Sequence, residues 1–224
     1  GEQYDRMVRD EFEPVLERLK ADAKAAGWLR PEVVYGYFPV QSSGNEIIVY
    51  DPDEYAATGA LRETARFSFP RMVGRERLCL ADYVRPSGSA DVDVLPLQIV
   101  TVGHVASERF AELQGANEYS EAYYVHGVGV ETAEALAEWS HRRIKRELGV
   151  ESGKRYSWGY GACPDLEDHA VVFRLLPAGE IGLDLTESFQ LTPEQSTAAV
   201  IMHHPQAKYY AVRGAAAERE PALA

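Results

Sequence analysis

From Glu118 to Leu148 apolar side chains recur at helical spacing, Ala135, Leu136, Trp139, Ile144 and Leu148 among them, and Gly149 stands after them as a stop. This long helix, preceded by a second helical stretch from Ser107 to Leu113, follows a region of a different kind. After Pro31 the apolar runs are short and rich in β-branched and aromatic residues. Residues 33–38 and 46–50 flank the turn chemistry of Ser42-Ser43-Gly44-Asn45 and predict a strand pair. Residues 66–69, 78–84 and 94–102 predict three more strands, with loops at Arg85-Pro86-Ser87-Gly88 and at Gly103.

The two ends complete the pattern. Val8, Phe12, Val15, Leu16 and Leu19 fall at three- and four-residue spacing, which predicts an amphipathic helix over 4–26, kinked or restarted at Pro14 and stopped at Gly27. Cys163-Pro164-Asp165-Leu166-Glu167-Asp168 has the form of a helix start, with proline early and acids in the first turn, and this helix is expected to run to about Leu176. Residues 182–185, 196–203 and 208–212 read as closing strands, and the Ala- and Glu-rich tail after Arg213 as frayed. No internal repeat is visible, and strands and helices alternate too irregularly for a doubly wound fold. The expected class is α+β, a single domain with a mainly antiparallel twisted sheet flanked by helices.

Charge and cysteine content narrow the function. A formal charge of -12 over 224 residues, with no Lys/Arg stripe, opposes nucleic-acid binding and tolerates a cationic ligand such as a sulfonium. Cys79 and Cys163 are the only two cysteines and have no CxxC spacing, so neither a disulfide framework nor a zinc site is expected. No run reaches the length of a membrane span and no apolar leader opens the chain, so a cytoplasmic protein without a membrane partner is expected. Gly1 in place of a start Met suggests a piece of something longer or trimming by an aminopeptidase. The 13 tyrosines exceed what packing needs and hint at a site rich in aromatic hydroxyls.

The most specific stretch is Arg155-Tyr156-Ser157-Trp158-Gly159-Tyr160-Gly161-Ala162-Cys163-Pro164. A guanidinium beside a glycine-rich turn can hold a carboxylate bidentately while backbone amides add donors, although a surface salt bridge is the plain alternative for Arg155. Gly159 and Gly161 permit close backbone approach or positive φ. Tyr160, set between them, has few neighbours to bury it, or else anchors the loop to a sheet. Cys163 reads as a packed thiol: carboxylates in the following turn oppose thiolate formation, and no His is fixed as its base. Tyr209 and Tyr210, in an expected strand, would point to opposite faces. His203-His204 lacks a third ligand for a metal, and none is expected. Glu134, in the long helix, reads on its own as a solvated surface acid.

These residues resemble the activation domain of cobalamin-dependent methionine synthases. The stretch from Arg155 is similar to that family's R-x-x-x-G-Y-x-x-C-P motif. It is followed in family order by Leu185-Thr186-Glu187-Ser188-Phe189 and by His204-Pro205-Gln206-Ala207-Lys208-Tyr209-Tyr210-Ala211-Val212. Upstream, Leu78 to Val84 resembles C-L-A-D-[FY]-V, and Ala133 to Trp139 resembles the family's long helix. The similarity implies a domain over residues 1–213 and a flexible tail over 214–224. It implies that S-adenosylmethionine is bound by Arg155, Gly159, Tyr160, Gly161, Ala162, Tyr209, Tyr210 and Glu134. Arg155 would take the methionyl carboxylate, the tyrosine pair would border the adenosine, and Tyr160 would face the corrin without acid or base work.

The implied activity is that of a methyltransferase domain, reductive methylation of cob(II)alamin to methylcobalamin; the domain alone is not expected to make methionine. Cobalamin is held mainly by a separate domain of the same enzyme, and the electron comes from a flavodoxin-type donor. Coupling that uphill electron transfer to methyl transfer asks the domain mainly for positioning. The family's N-terminal Asp-Trp arm, which helps hold the ligand's ammonium, has no counterpart before Tyr4, so weaker affinity than that of a complete domain is expected. A stand-alone factor serving a separate corrinoid protein, or a non-catalytic S-adenosylmethionine-binding module, stays open at this stage.

Overall fold

In a computed structural model that describes residues 2–212, the N-terminal segment is helical from Glu2 to Ala26 but not uniformly so. α1 (Glu2–Met7) passes through one π-type stretch, Val8–Phe12, into α2 (Glu13–Ala26), with Pro14 at its start. The ring of Pro14 would strike the carbonyl four residues back in a regular helix, and the wider turn relieves that clash.

β1 (Glu32–Ser43) and β2 (Glu46–Tyr50) form a hairpin in which Ser43 pairs with Glu46 across the Gly44-Asn45 turn. α3 (Pro52–Thr58), which the sequence reading missed, is capped by Asp51, whose carboxylate accepts from the Glu54 amide at 2.9 Å. β3 (Glu63–Ser68) and β4 (Asp93–Thr101) follow, then α4 (His104–Gly115), the long α5 (Tyr119–Leu148), β5 (Lys154–Ser157), α6 (Asp168–Leu175), β6 (Asp184–Leu185), β7 (Leu191–Thr192) and β8 (Ser196–Met202). The main sheet has the order β3-β2-β1-β4-β8-β5, and all its neighbours are antiparallel. The expected α+β class with a mainly antiparallel sheet is what the chain adopts. No helix among the described residues is long and apolar enough to cross a membrane.

Four local expectations need correction. Residues 78–84 are not a strand: Asp82 accepts from the Cys79 amide at 3.1 Å, pairs with Arg71, and closes a 3-10 turn over Leu80–Tyr83. Residues 182–185 contribute only the two-residue β6, paired with β7 apart from the main sheet. The helix expected from Pro164 starts at Asp168, because Asp165 accepts from the Glu167 amide at 3.0 Å and holds the intervening residues in a turn. Residues 208–212 have strand-like side chains but join no ladder, although β5, unrecognised in the sequence, lies nearby. The expected tail over 214–224 falls outside the described residues.

The sheet divides the molecule. One face, with Phe67, Leu95, Leu97, Ile99, Ala198, Val200 and Met202, packs with Val172 and Leu176 into a continuous apolar core. The opposite face lies under α5, which crosses β1, β4 and β8. There the Gln98 side chain donates to the Ala137 carbonyl at 3.1 Å, and the hydroxyls of Tyr35 and Tyr37 donate to Glu147. A second cluster, with Leu19, Trp28, Val102, Ala106 and Val125, seats α2 and α4 against the N-terminal part of α5.

Candidate functional site

β5 is an edge strand, and its four residues separate their side chains by strand alternation. Ser157 lies across from Ala199, and Ala199 from Gln98, so Arg155 and Ser157 share the α5 face. Tyr156 and Trp158 are buried in the apolar core on the other side.

Arg155 is held from two directions. Its Nη2 donates to Glu134 Oε2 of α5 at 2.8 Å, and its Nη1 to Ser157 Oγ at 3.3 Å, with Thr197 donating to that same hydroxyl at 3.3 Å. The guanidinium side chain is only 15% exposed, while its partner carboxylate is 51% exposed. Other donors of the planar fork have no assigned partner among the described residues, and a fork of five N–H groups can serve a second carboxylate.

The chain turns sharply after Trp158. The Gly159 amide donates to the Cys163 carbonyl at 2.9 Å and the Cys163 amide to the Tyr160 carbonyl at 2.8 Å. Gly159 has φ +86°, a backbone state that favours glycine. At Gly161 the need is space: a Cβ there would lie 2.8 Å from Ala211 Cα and 2.9 Å from the Tyr210 carbonyl oxygen. The Val212 amide also donates to the Gly161 carbonyl at 2.9 Å. The turn and the C-terminal segment are therefore in direct contact. Ala162 points into the core, so a ligand could use only its backbone. Tyr160 projects outward, 72% exposed.

Five tyrosines gather around this edge. The Tyr156 hydroxyl donates to the Lys208 carbonyl at 2.8 Å, and its ring meets that of Tyr209 edge-on at 5.5 Å. Lys154 Nζ lies 5.5 Å from the Tyr209 ring centroid, a cation–π contact. Tyr83 accepts from the Lys208 amide at 3.4 Å. Tyr209 is exposed while the Tyr210 hydroxyl is buried with no hydrogen-bond partner among the described residues, so the pair is divided as expected but by an irregular segment and not by a strand. Burial pushes the phenols of Tyr156 and Tyr210 above their ordinary range and keeps both neutral. Tyr83, Tyr156 and Lys154 were not singled out in the sequence; the tyrosine excess and the motifs that contain Tyr83 and Tyr156 carried the available signal.

The remaining candidates are structural. The Cys163 thiol is buried, donates to the Ser157 carbonyl at 3.0 Å, and is pushed up by desolvation, so it is no nucleophile. His203 contacts the Val94 carbonyl at 2.9 Å, and His204 packs on Tyr83 at 5.7 Å. No group of three potential metal-ligating side chains occurs among the described residues. What the edge of β5 offers is a sheltered cation paired with an acid on one face and, at its end, a backbone turn against the C-terminal segment, a set suited to binding and orienting a zwitterionic ligand.

Residues 5–220 match the family model of the vitamin B12 dependent methionine synthase activation domain. The chain is 40% identical over 241 residues to a methionine synthase of Mycobacterium tuberculosis, a match that takes in 95% of this chain and 20% of the relative. A methionine synthase of Mycobacterium leprae is also 40% identical, over 95% of this chain and 19% of its own length. The chain thus spans about a fifth of the length of these curated relatives. Among solved structures, the MetH reactivation domain bound to AdoHcy superposes with a TM-score of 0.78 at 28% identity, over 93% of this chain and 72% of that one.

Proposed function

The chain belongs to the activation domain family of vitamin B12 dependent methionine synthase, and from that premise we propose that it binds S-adenosylmethionine at the edge of β5 and presents the sulfonium methyl for reductive methylation of cob(II)alamin. The observation that carries this reading is the contact of the turn at Gly161 with residues 210–212, on the strand edge that also presents the Arg155–Glu134 pair. The solved neighbour bound to AdoHcy, the demethylated form of that ligand, supports it.

Each residue then has a physical task. Arg155 receives the methionyl carboxylate, since its guanidinium is pre-set by Glu134 and Ser157 and little rotamer freedom is left to lose. Glu134 places negative charge beside a ligand that carries both a sulfonium and an ammonium. The backbone of Gly159, Gly161 and Ala162, with Tyr209 and Tyr210, borders the adenosyl group. Tyr160, exposed at the tip of the turn, faces the corrin held by the cobalamin domain. When bound, S-adenosylmethionine supplies an electrophilic methyl group, and the electron comes from a flavodoxin-type donor. The protein's contribution is orientation and exclusion of water, which needs no proton transfer by these side chains.

Calorimetric titration with S-adenosylmethionine tests this. Wild type should bind, and Arg155→Ala should weaken binding by about 2–3 kcal/mol. With cobalamin domain and reductant added, the same variant should slow recovery of methylcobalamin. Equal affinities would remove Arg155 from the site.

A further inference from the structure

Trp158 immediately precedes the turn, yet its side chain is committed elsewhere. Its indole is buried in the apolar core, 5.6 Å from the Phe67 ring and 6.0 Å from His169 between centroids. Its Nε1 donates to Asp168 Oδ2, at the first residue of α6, over 3.1 Å. Leu166 Cδ2, in the loop ahead of α6, would lie 3.1 Å from a Cβ built on Gly159. The backbone bonds at Gly159 and Cys163 fix the turn's internal shape. The indole bond and the Leu166 contact fix where that turn lies relative to α6.

A carboxylate is a costly acceptor in this place. Burial, with Asp165 and Glu167 nearby, pushes Asp168 up to about 7. An amide would accept the same hydrogen bond without burying charge. What the carboxylate adds is strength as an acceptor, because charge-assisted bonds are about twice as strong as neutral ones. Burial raises the Cys163 thiol and lowers His169, whose Nδ1 meets the Phe189 carbonyl at 2.7 Å.

We infer that Asp168 is a positioning residue for the ligand-binding turn, anchoring it to α6 through the Trp158 indole; this rests on the function proposed above for that turn. Asp168 does not touch the ligand. It acts through Trp158 on the placement of Gly159 to Ala162, and its ionised form holds the anchor more firmly than its protonated form.

The test follows the indole N–H resonances of the 15N-labelled chain, with the Trp158 signal identified by its loss in Trp158→Phe, and pairs them with S-adenosylmethionine titrations at pH 6 and pH 8. In wild type the Trp158 signal should shift with a midpoint near pH 7, and affinity should be roughly fivefold weaker at the lower pH. In Asp168→Asn, which keeps an acceptor but cannot ionise, the shift should vanish and affinity should lose the corresponding part of its pH dependence. A Trp158 signal that does not titrate, or an affinity step that persists unchanged in Asp168→Asn, overturns the inference. Titration of the indole in a wild-type chain that binds no S-adenosylmethionine would uphold the anchor and overturn the function proposed for the turn.

Discussion

The two faces of the sheet are built to different rules. Beneath α6 the strands present Phe67, Leu97, Ile99 and Val200, fully or almost fully buried and sealed by Trp158 and Val172. Beneath α5, β4, β8 and β5 present Gln98, Thr197, Ala199, Ser157 and Arg155 beside the buried Val100 and Ile201, and the contacts to the helix include hydrogen bonds and an ion pair. The first face concentrates the apolar burial that stabilises the fold. The second mixes apolar burial with the polar groups that chemistry can use. β5 belongs to both, so the motif that begins at Arg155 is fastened to the core by every second residue and turned toward α5 by the others.

Substitutions should separate these roles. Phe67→Ala, at the centre of the apolar face, should cost about 3–5 kcal/mol of stability by urea denaturation. A loss below about 1 kcal/mol would break the contrast at its strong end. Arg155→Ala, whose binding loss is given above, should leave the unfolding midpoint nearly unchanged; an equal loss of stability would make Arg155 a structural residue.

Gly161→Ala should affect both sides at once, since the added methyl meets backbone at Ala211 and Tyr210 and forces the two segments apart. A cost of about 1–3 kcal/mol is expected in stability and affinity together, measured by denaturation and titration on the same preparation.

Asp168 gives a pH-dependent version of the contrast. Its carboxyl is pushed up to about 7 in the folded chain, above its unfolded value. The stability it contributes is therefore complete at pH below the unfolded pKa and is lost as pH rises towards 7. Asp168→Asn should gain on wild type by about 2–3 kcal/mol between pH 5 and pH 8, read from paired thermal melts. A gap that does not widen would show that the buried carboxylate carries no such cost. Smallest of all, Glu134→Gln should change stability by less than about 1 kcal/mol, because the ion pair is half open to solvent.

How much of this was legible in the sequence depended on the range of the interaction. α5 was legible because its pattern repeats over 30 residues, and β2 was placed within its bounds because Gly44 and Asn45 mark its turn. The 3-10 turn at Leu80–Tyr83 was misread because Asp82 bonds locally to Cys79 and over distance to Arg71, which the apolar character of the segment conceals. The strand expected at 208–212 failed for the opposite reason: its residues favour extension, but a ladder needs a partner, and this segment spends its contacts on Gly161, Tyr83 and Tyr156. The residues around the site were legible as a motif. That Arg155 reaches Glu134, and that Trp158 reaches Asp168, were not, because each pair depends on which face of a strand meets which helix.

The unbroken length of α5 has a mechanical consequence. At 1.5 Å per residue it is a rod of about 45 Å. Near one end Glu121 grips Arg18 of α2, midway Glu134 grips Arg155, and near the other end Glu147 gathers Tyr35 and Tyr37. One stiff shaft thus sets the spacing of three fastenings, and the α2 contact and the guanidinium lie about 20 Å apart along it.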